Sequence, residues 1–161
     1  MKYAWSMTTT AKIIYTQRRM IMQRKGSAVW QGDLIHGKGT VSTESGALEH
    51  TPYSFKTRFE NSTGTNPEEL LAAAHAGCFA MALSNELSTA GIPPKELQAT
   101  ATITIDKVSD GFAITKSHID LVADIPNADK TKFETAVKAA EKGCPVSKLF
   151  KAEITVSATL K

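Results

Sequence analysis

Between Ser27 and Glu60 polar and apolar residues alternate in three short runs, AVWQGDLI, GKGTVSTES and YSFKTRFEN, punctuated by Gly32, Gly37, Gly39, Gly46 and Pro52. A period of two with turn residues between the runs predicts a small antiparallel meander, and it places Arg58 on the last strand. The pattern then changes. Thr65-Asn66-Pro67-Glu68-Glu69 supplies a capping side chain, a proline at the first helical position and two acids in the first turn, which together predict a helix start. That helix runs to Gly91, a terminating glycine, and Pro93-Pro94 bars any continuation. It spans about 24 residues, or ~36 Å at ~1.5 Å per residue. Two longer alternating runs, LQATATITIDKV and FAITKSHIDLVADI, meet at Ser109-Asp110-Gly111 and predict a hairpin with Ala99, Ala101, Ile103 and Ile105 on one face. From Asp129 to Lys142 apolar residues recur at helical spacing (Phe133, Val137, Ala140) and Gly143 stops the run. Cys144-Pro145-Val146-Ser147 opens another short helix, and AEITVSATL reads as a closing strand. Strands and helices in this order define an α+β chain.

The long helix changes the picture of the whole molecule. From Leu70 to Leu83 it is apolar nearly all round, His75 apart, and rich in Ala and Gly. Such a helix must be covered on every side, and small residues let a neighbouring backbone approach closely. A chain of 161 residues is short for that task, so the pattern points to a homodimer with central helices packed together and sheets outside. The composition, 42% hydrophobic and 22% charged, describes one globular domain and excludes disordered, collagenous and low-complexity classes. A net charge of +3 is too small to argue for nucleic acid or an anionic membrane as partner. Residues 1–22 read as a frayed extension or start-site artefact ahead of a single domain over 23–161, because they hold no apolar run of the kind a secretory signal needs. The longest apolar run, fourteen residues from Leu70 to Leu83 with His75 apart, falls short of the roughly twenty that span a bilayer. The expectation is a cytoplasmic, reducing setting without membrane insertion.

Two cysteines carry the candidate chemistry. A chain of this size needs no disulfide staple, yet Cys78 and Cys144 can form one redox couple. Cys78, in HAGCFAMAL, sits on the apolar helix, where free cysteine commonly behaves as a small buried hydrophobe. Cys144 directly precedes a proline at a helix start, facing backbone N–H groups that stabilise a thiolate.

The strings TRFE, GTNPEELLAAAHAGCFAMAL, DKVSDGFAITK and KGCPVSKLFKAEIT together resemble the OsmC/Ohr family, in its OsmC branch, from roughly Gly26 to Lys161. The resemblance implies antiparallel sheets enclosing central helices in an intertwined homodimer, and a thiol-dependent peroxidase for organic hydroperoxides, acting in oxidative and osmotic stress defence. Carried over by position, Cys78 resembles the peroxide-attacking cysteine and Cys144 the resolving one. Arg58 in TRFE and Glu68 in NPEE resemble the active-site arginine and its carboxylate partner. No cofactor or metal is implied, and the resemblance implies that an external dithiol, of the lipoyl type, reduces the disulfide.

Chemistry agrees with these roles. At the reference pKa of ~8.5 a cysteine is about 3% thiolate at pH 7, and a pKa of ~5.5 gives a gain near thirtyfold. Cleaving the O–O bond also expels an alkoxide, which calls for a fixed cation, and arginine supplies one without titrating. A carboxylate holds such a guanidinium in direction through a paired contact. Glu68 and Cys78 lie ten residues apart, about 15 Å along a straight helix, so one arginine head group cannot touch both on the same helix. Each site is therefore expected to join Cys78 and Cys144 of one chain to Arg58 and Glu68 of the other. Phe79 and Met81 beside the thiol are expected to favour alkyl hydroperoxides over hydrogen peroxide. Two alternatives stand beside this one: His75, three residues before Cys78, could pair with it in a hydrolase or acyltransferase, or an apolar interface pocket could hold a ligand without catalysis. Metal binding by Cys78, Cys144 and the histidines lacks any ligand-like spacing.

Overall fold

The computed structural model describes residues 22–60 and 62–160, so the expected N-terminal extension, Met22 apart, lies outside the described residues. The meander forms as β1 (Gly26–Gln31), β2 (Lys38–Thr43) and β3 (Thr51–Ser54), antiparallel and in that order. Gly39 stands opposite Trp30 on one side and Tyr53 on the other. A Cβ there would collide with the Val29 carbonyl and both aromatic rings, so glycine is what lets Trp30 and Tyr53 approach to 5.2 Å between centroids.

The third alternating run departs from expectation. Phe55–Phe59 is a short helix, α1, so Arg58 stands on a helical turn and not on a strand. Its start is a reciprocal cap: Thr57 N–H donates to Ser54 Oγ at 3.2 Å, and Ser54 N–H donates to Thr57 Oγ1 at 2.8 Å. That local exchange outweighs the strand preference of the aromatic residues around it. The long helix, α2, covers Pro67–Thr89 behind an Asn66 cap whose Oδ1 accepts from Glu69 N–H at 2.8 Å. It ends where Gly91 adopts φ +76°, a conformation that favours glycine.

The hairpin is β4 (Glu96–Val108) with β5 (Gly111–Asp124), broken by a register shift at Thr104/Ile105. Next come α3 (Lys130–Gly143), α4 (Pro145–Leu149) and β6 (Glu153–Leu160). Here the structure corrects the expectation of wholly antiparallel sheets, because β6 pairs with β5 in parallel. The connection through α3 and α4 crosses the sheet and returns the chain to the same end, as a parallel pair requires.

The core lies between this second sheet and the helices. Ile119, Leu121 and Ala123 of β5 meet Phe79, Leu83 and Leu87 of α2 and Phe133, Ala136, Val137 and Ala140 of α3. By length and composition α2 is apolar enough to cross a membrane, which the fourteen-residue run alone did not suggest. Its buried side chains, His75, Phe79, Leu83 and Leu87, form one line at four-residue spacing that packs on the sheet, as in the core helix of a globular protein. The opposite line, with Ala73, Ala74, Gly77 and Met81, is exposed in the single chain, Met81 at 78%.

Candidate active site

The four candidate residues gather into two pairs. The first is built where α1 ends and α2 begins. Thr65 N–H donates to Pro52 O at 2.9 Å, and Asn66, while capping α2, donates through Nδ2 to Thr57 O at 3.1 Å. This double tie sets Arg58 beside Glu68. Arg58 Nε lies 3.1 and 3.2 Å from the two Glu68 oxygens, and Nη2 donates to Oε1 at 2.7 Å. One edge of the fork is engaged through both of its nitrogens, Nε and Nη2, so the direction of the guanidinium is fixed as well as its position. The Glu68 side chain is 12% exposed and that of Arg58 38%. Beside them opens a cavity of about 300 Å³ lined by Trp30, Leu34, Tyr53, Phe55, Phe59 and Pro67.

The second pair joins α2 to the turn between α3 and α4. Cys144 Sγ lies 2.9 Å from Cys78 Sγ, both as free thiols, with Cys144 fully buried and Cys78 partly so. Sequence positions 66 apart thus converge on one contact. The two sulfurs differ in acidity. Burial, together with its hydrogen bond to Cys144, pushes the Cys78 thiol up, against a smaller opposing effect of the Val146 N–H. Burial acts to raise Cys144 too. There it is outweighed by hydrogen bonding from Cys78, from the Ser147 N–H and hydroxyl, and from the Val146 N–H, which hold the thiol below its ordinary value. Cys144 makes no strict capping bond to α4, so these N–H groups act as near neighbours of the sulfur.

His75 does not partner Cys78. Its Nδ1 lies 2.6 Å from Ser117 Oγ and its Nε2 2.9 Å from Ser147 Oγ, and the Phe150 ring packs edge-on at 5.2 Å between centroids. With both nitrogens engaged, the Cys–His nucleophilic pair is not formed. Burial lowers the pKa of His75 and keeps the ring neutral. Phe79 is fully buried in the core, so the apolar wall expected beside the thiol is found instead beside Arg58. Two side chains escaped the sequence reading, Ser117 and Ser147. A signal for the first existed, since Ser117 occupies the inward register of β5 with Ile119, Leu121 and Ala123, and a hydroxyl there needs a buried partner.

An α+β chain with a long apolar helix, two converging free cysteines and a held arginine defines a class of thiol protein, and the matches agree: the chain belongs to the OsmC-like protein family, whose model matches residues 59–159. Peroxiredoxin OsmC of Escherichia coli is 51% identical over 142 residues, covering 88% of this chain and 99% of that protein. The organic hydroperoxide resistance protein OhrB of Bacillus subtilis is 31% identical over 76% of this chain and 89% of its own length. The crystal structure of an organic hydroperoxide resistance protein from Elizabethkingia anophelis matches with a TM-score of 0.64 at 26% identity, over 89% of this chain and 98% of that one.

Proposed function

We propose that the protein is a thiol-dependent peroxidase that reduces organic hydroperoxides to alcohols in oxidative and osmotic stress defence. The observation that carries this reading is the pair of free sulfurs 2.9 Å apart, one buried and one reachable. Cys78 attacks the distal oxygen of the peroxide, the O–O bond breaks, an alcohol leaves, and Cys78 becomes a sulfenic acid. Cys144 then displaces water from that sulfur to form the disulfide, and an external dithiol reduces it. Lipoyl-type dithiols suit the last step chemically.

The missing element on the Cys78 side is a cation, and the chain holds its Arg58–Glu68 pair about ten helical residues away. A homodimer in which two α2 helices pack through Ala73, Ala74, Gly77 and Met81 covers that exposed line. In it Arg58 and Glu68 of the partner subunit face Cys78. The apolar cavity beside Arg58 then receives the alkyl group, which supports organic hydroperoxides over hydrogen peroxide. A cytoplasmic setting agrees with free cysteines kept reducible.

The test uses mixed dimers. Cys78→Ser and Arg58→Ala chains are each expected to lose dithiol-dependent turnover of cumene hydroperoxide. When they are unfolded together and refolded as mixed dimers, one site regains an intact Cys78 and an intact Arg58, and activity returns. Inactive mixtures with confirmed heterodimers reject the shared site, and full activity of Cys78→Ser rejects the peroxidase.

A further inference from the structure

The peroxidase reading leaves a fully buried titratable group unused. His75 is sealed between β5 and α4, both ring nitrogens hold serine hydroxyls, and one of those serines stands one helical turn beyond Cys144. Cys144 and Ser147 are the flanking and third residues of α4, positions whose side chains face each other. Among the described residues no buried side-chain nitrogen or oxygen lacks a partner, and the ring and both serine hydroxyls are joined in one row. A neutral imidazole has one donor and one acceptor nitrogen, so the row can run in one of two senses. If Ser147 donates to the ring, its hydroxyl has no proton for the sulfur. If Nε2–H donates to Ser147, the hydroxyl proton is free to point at Cys144.

We propose that His75 is a positioning residue for Cys144: held by Ser117 at Nδ1, it donates through Nε2–H to Ser147, whose hydroxyl donates in turn to the Cys144 thiolate. This inference rests on the reading of Cys144 as the resolving cysteine. The row of three hydrogen bonds does not carry a proton away. It fixes the thiolate, with its lone pair directed at Cys78, for the step that closes the disulfide. In that step the Cys144 sulfur gives an electron pair to the Cys78 sulfur and the S–O bond of the sulfenic acid breaks. The departing hydroxide takes up a proton, equivalent to the one Cys144 released, and leaves as water; Cys144 is oxidised as the sulfenic sulfur is reduced. The lowered pKa of His75 suits the role, since a protonated ring would donate from both nitrogens and break the link to Ser117 as donor. The titratable groups that bear on Cys144 are Cys78 directly and His75 through Ser147, both on α2.

The experiment uses two readouts on the full chain. In a Cys78→Ser background, which removes the neighbouring thiol, the rate of Cys144 alkylation by iodoacetamide is followed against pH. Ser147→Ala and His75→Gln are each expected to move the midpoint up by about one pH unit, a tenfold loss of thiolate and the worth of one hydrogen bond to a charged sulfur, and Ser147→Thr restores it. With Cys78 present, one equivalent of cumene hydroperoxide is added with dimedone, and the ratio of dimedone-labelled Cys78 to disulfide is measured by mass spectrometry. The ratio is expected to rise about tenfold in Ser147→Ala and to return in Ser147→Thr, a recovery that a merely structural loss would not give. Unchanged alkylation profiles, or equal labelling ratios in Ser147→Ala and wild type, overturn the proposal while leaving the peroxidase standing. If wild type yields neither adduct nor disulfide, the peroxidase reading fails instead.

Discussion

Removing the cation beside Glu68 separates a structural from a chemical role most sharply. Arg58 is more than a third exposed, and exposed ion pairs contribute about 0.2–1 kcal/mol to folding. Arg58→Ala is therefore expected to change thermal stability by less than about 1 kcal/mol. Its effect on reaction is of another size. A fixed donor aimed at developing negative charge is worth about 2.7–4 kcal/mol, or a factor of about 10²–10³ in rate. Glu68→Gln keeps Arg58 and one acceptor oxygen but loses the charged grip on Nε and Nη2 seen at 2.7, 3.1 and 3.2 Å. Loosening that grip is expected to cost about tenfold, close to 1.4 kcal/mol. In the proposed site Glu68 acts on the reaction through the arginine alone, so the double variant should be no slower than Arg58→Ala. The assay is kcat/KM for cumene hydroperoxide with a dithiol reductant, with melting curves on the same samples. Arg58→Ala within about threefold of wild type, or a double variant slower by the product of both losses, refutes the reasoning.

Three further outcomes follow from the packing and the buried groups. Phe79 is wholly enclosed by the core, so Phe79→Ala is expected to cost about 3–5 kcal/mol and to lower Tm by about 10 °C or more in a melt monitored by circular dichroism. Met81 is 78% exposed in the single chain; if two α2 helices meet there, Met81→Glu lowers Tm, abolishes its dependence on protein concentration and yields a monomer by sedimentation, whereas a lone exposed methionine would tolerate the change. His75 has its pKa depressed by burial below the ordinary 6.5, so the unfolded chain takes up a proton first as pH falls. Stability is thus full above about 6.5 and declines as pH drops toward the folded-state value, and urea unfolding of His75→Gln, if folded, should lack that part of the slope.

Most of this fold was legible because its elements carry redundant local signals. The start of α2 combined a cap, a proline and two acids, and the β4–β5 alternation extended over thirteen and fourteen residues. Where one signal stood alone, the reading slipped. YSFKTRFEN has strand-forming residues, and only the Ser54–Thr57 pair announced the helical turn that carries Arg58. The parallel seat of β6 was invisible locally because strand direction is set by the α3–α4 crossover and not by residues of β6. The cysteines could be named from sequence, but the distance between them and the row behind Cys144 could not. Ser117 and Ser147 reach His75 across separations of 42 and 72 residues, and no periodicity encodes such a meeting.

The same row resolves a tension between the two thiols. Physical chemistry makes Cys144 the more acidic of the pair within one chain, while the proposed cycle gives first attack to Cys78, whose thiol burial and Cys144 push up. Both statements hold if each step draws on a different source of charge. What a single chain assembles, namely buried hydroxyls and N–H groups around Cys144, serves the second step, in which a thiolate attacks a neighbouring sulfur and needs direction more than field. The first step must ionise Cys78 and also stabilise a departing alkoxide, tasks that neutral hydrogen bonds meet poorly and a guanidinium meets well. A free chain is then a poor peroxidase with its resolving thiol already poised. In the proposed dimer the second subunit supplies the cation, so peroxide attack is expected only in the assembled molecule, where Cys144 already stands beside Cys78 to condense with the sulfenic acid.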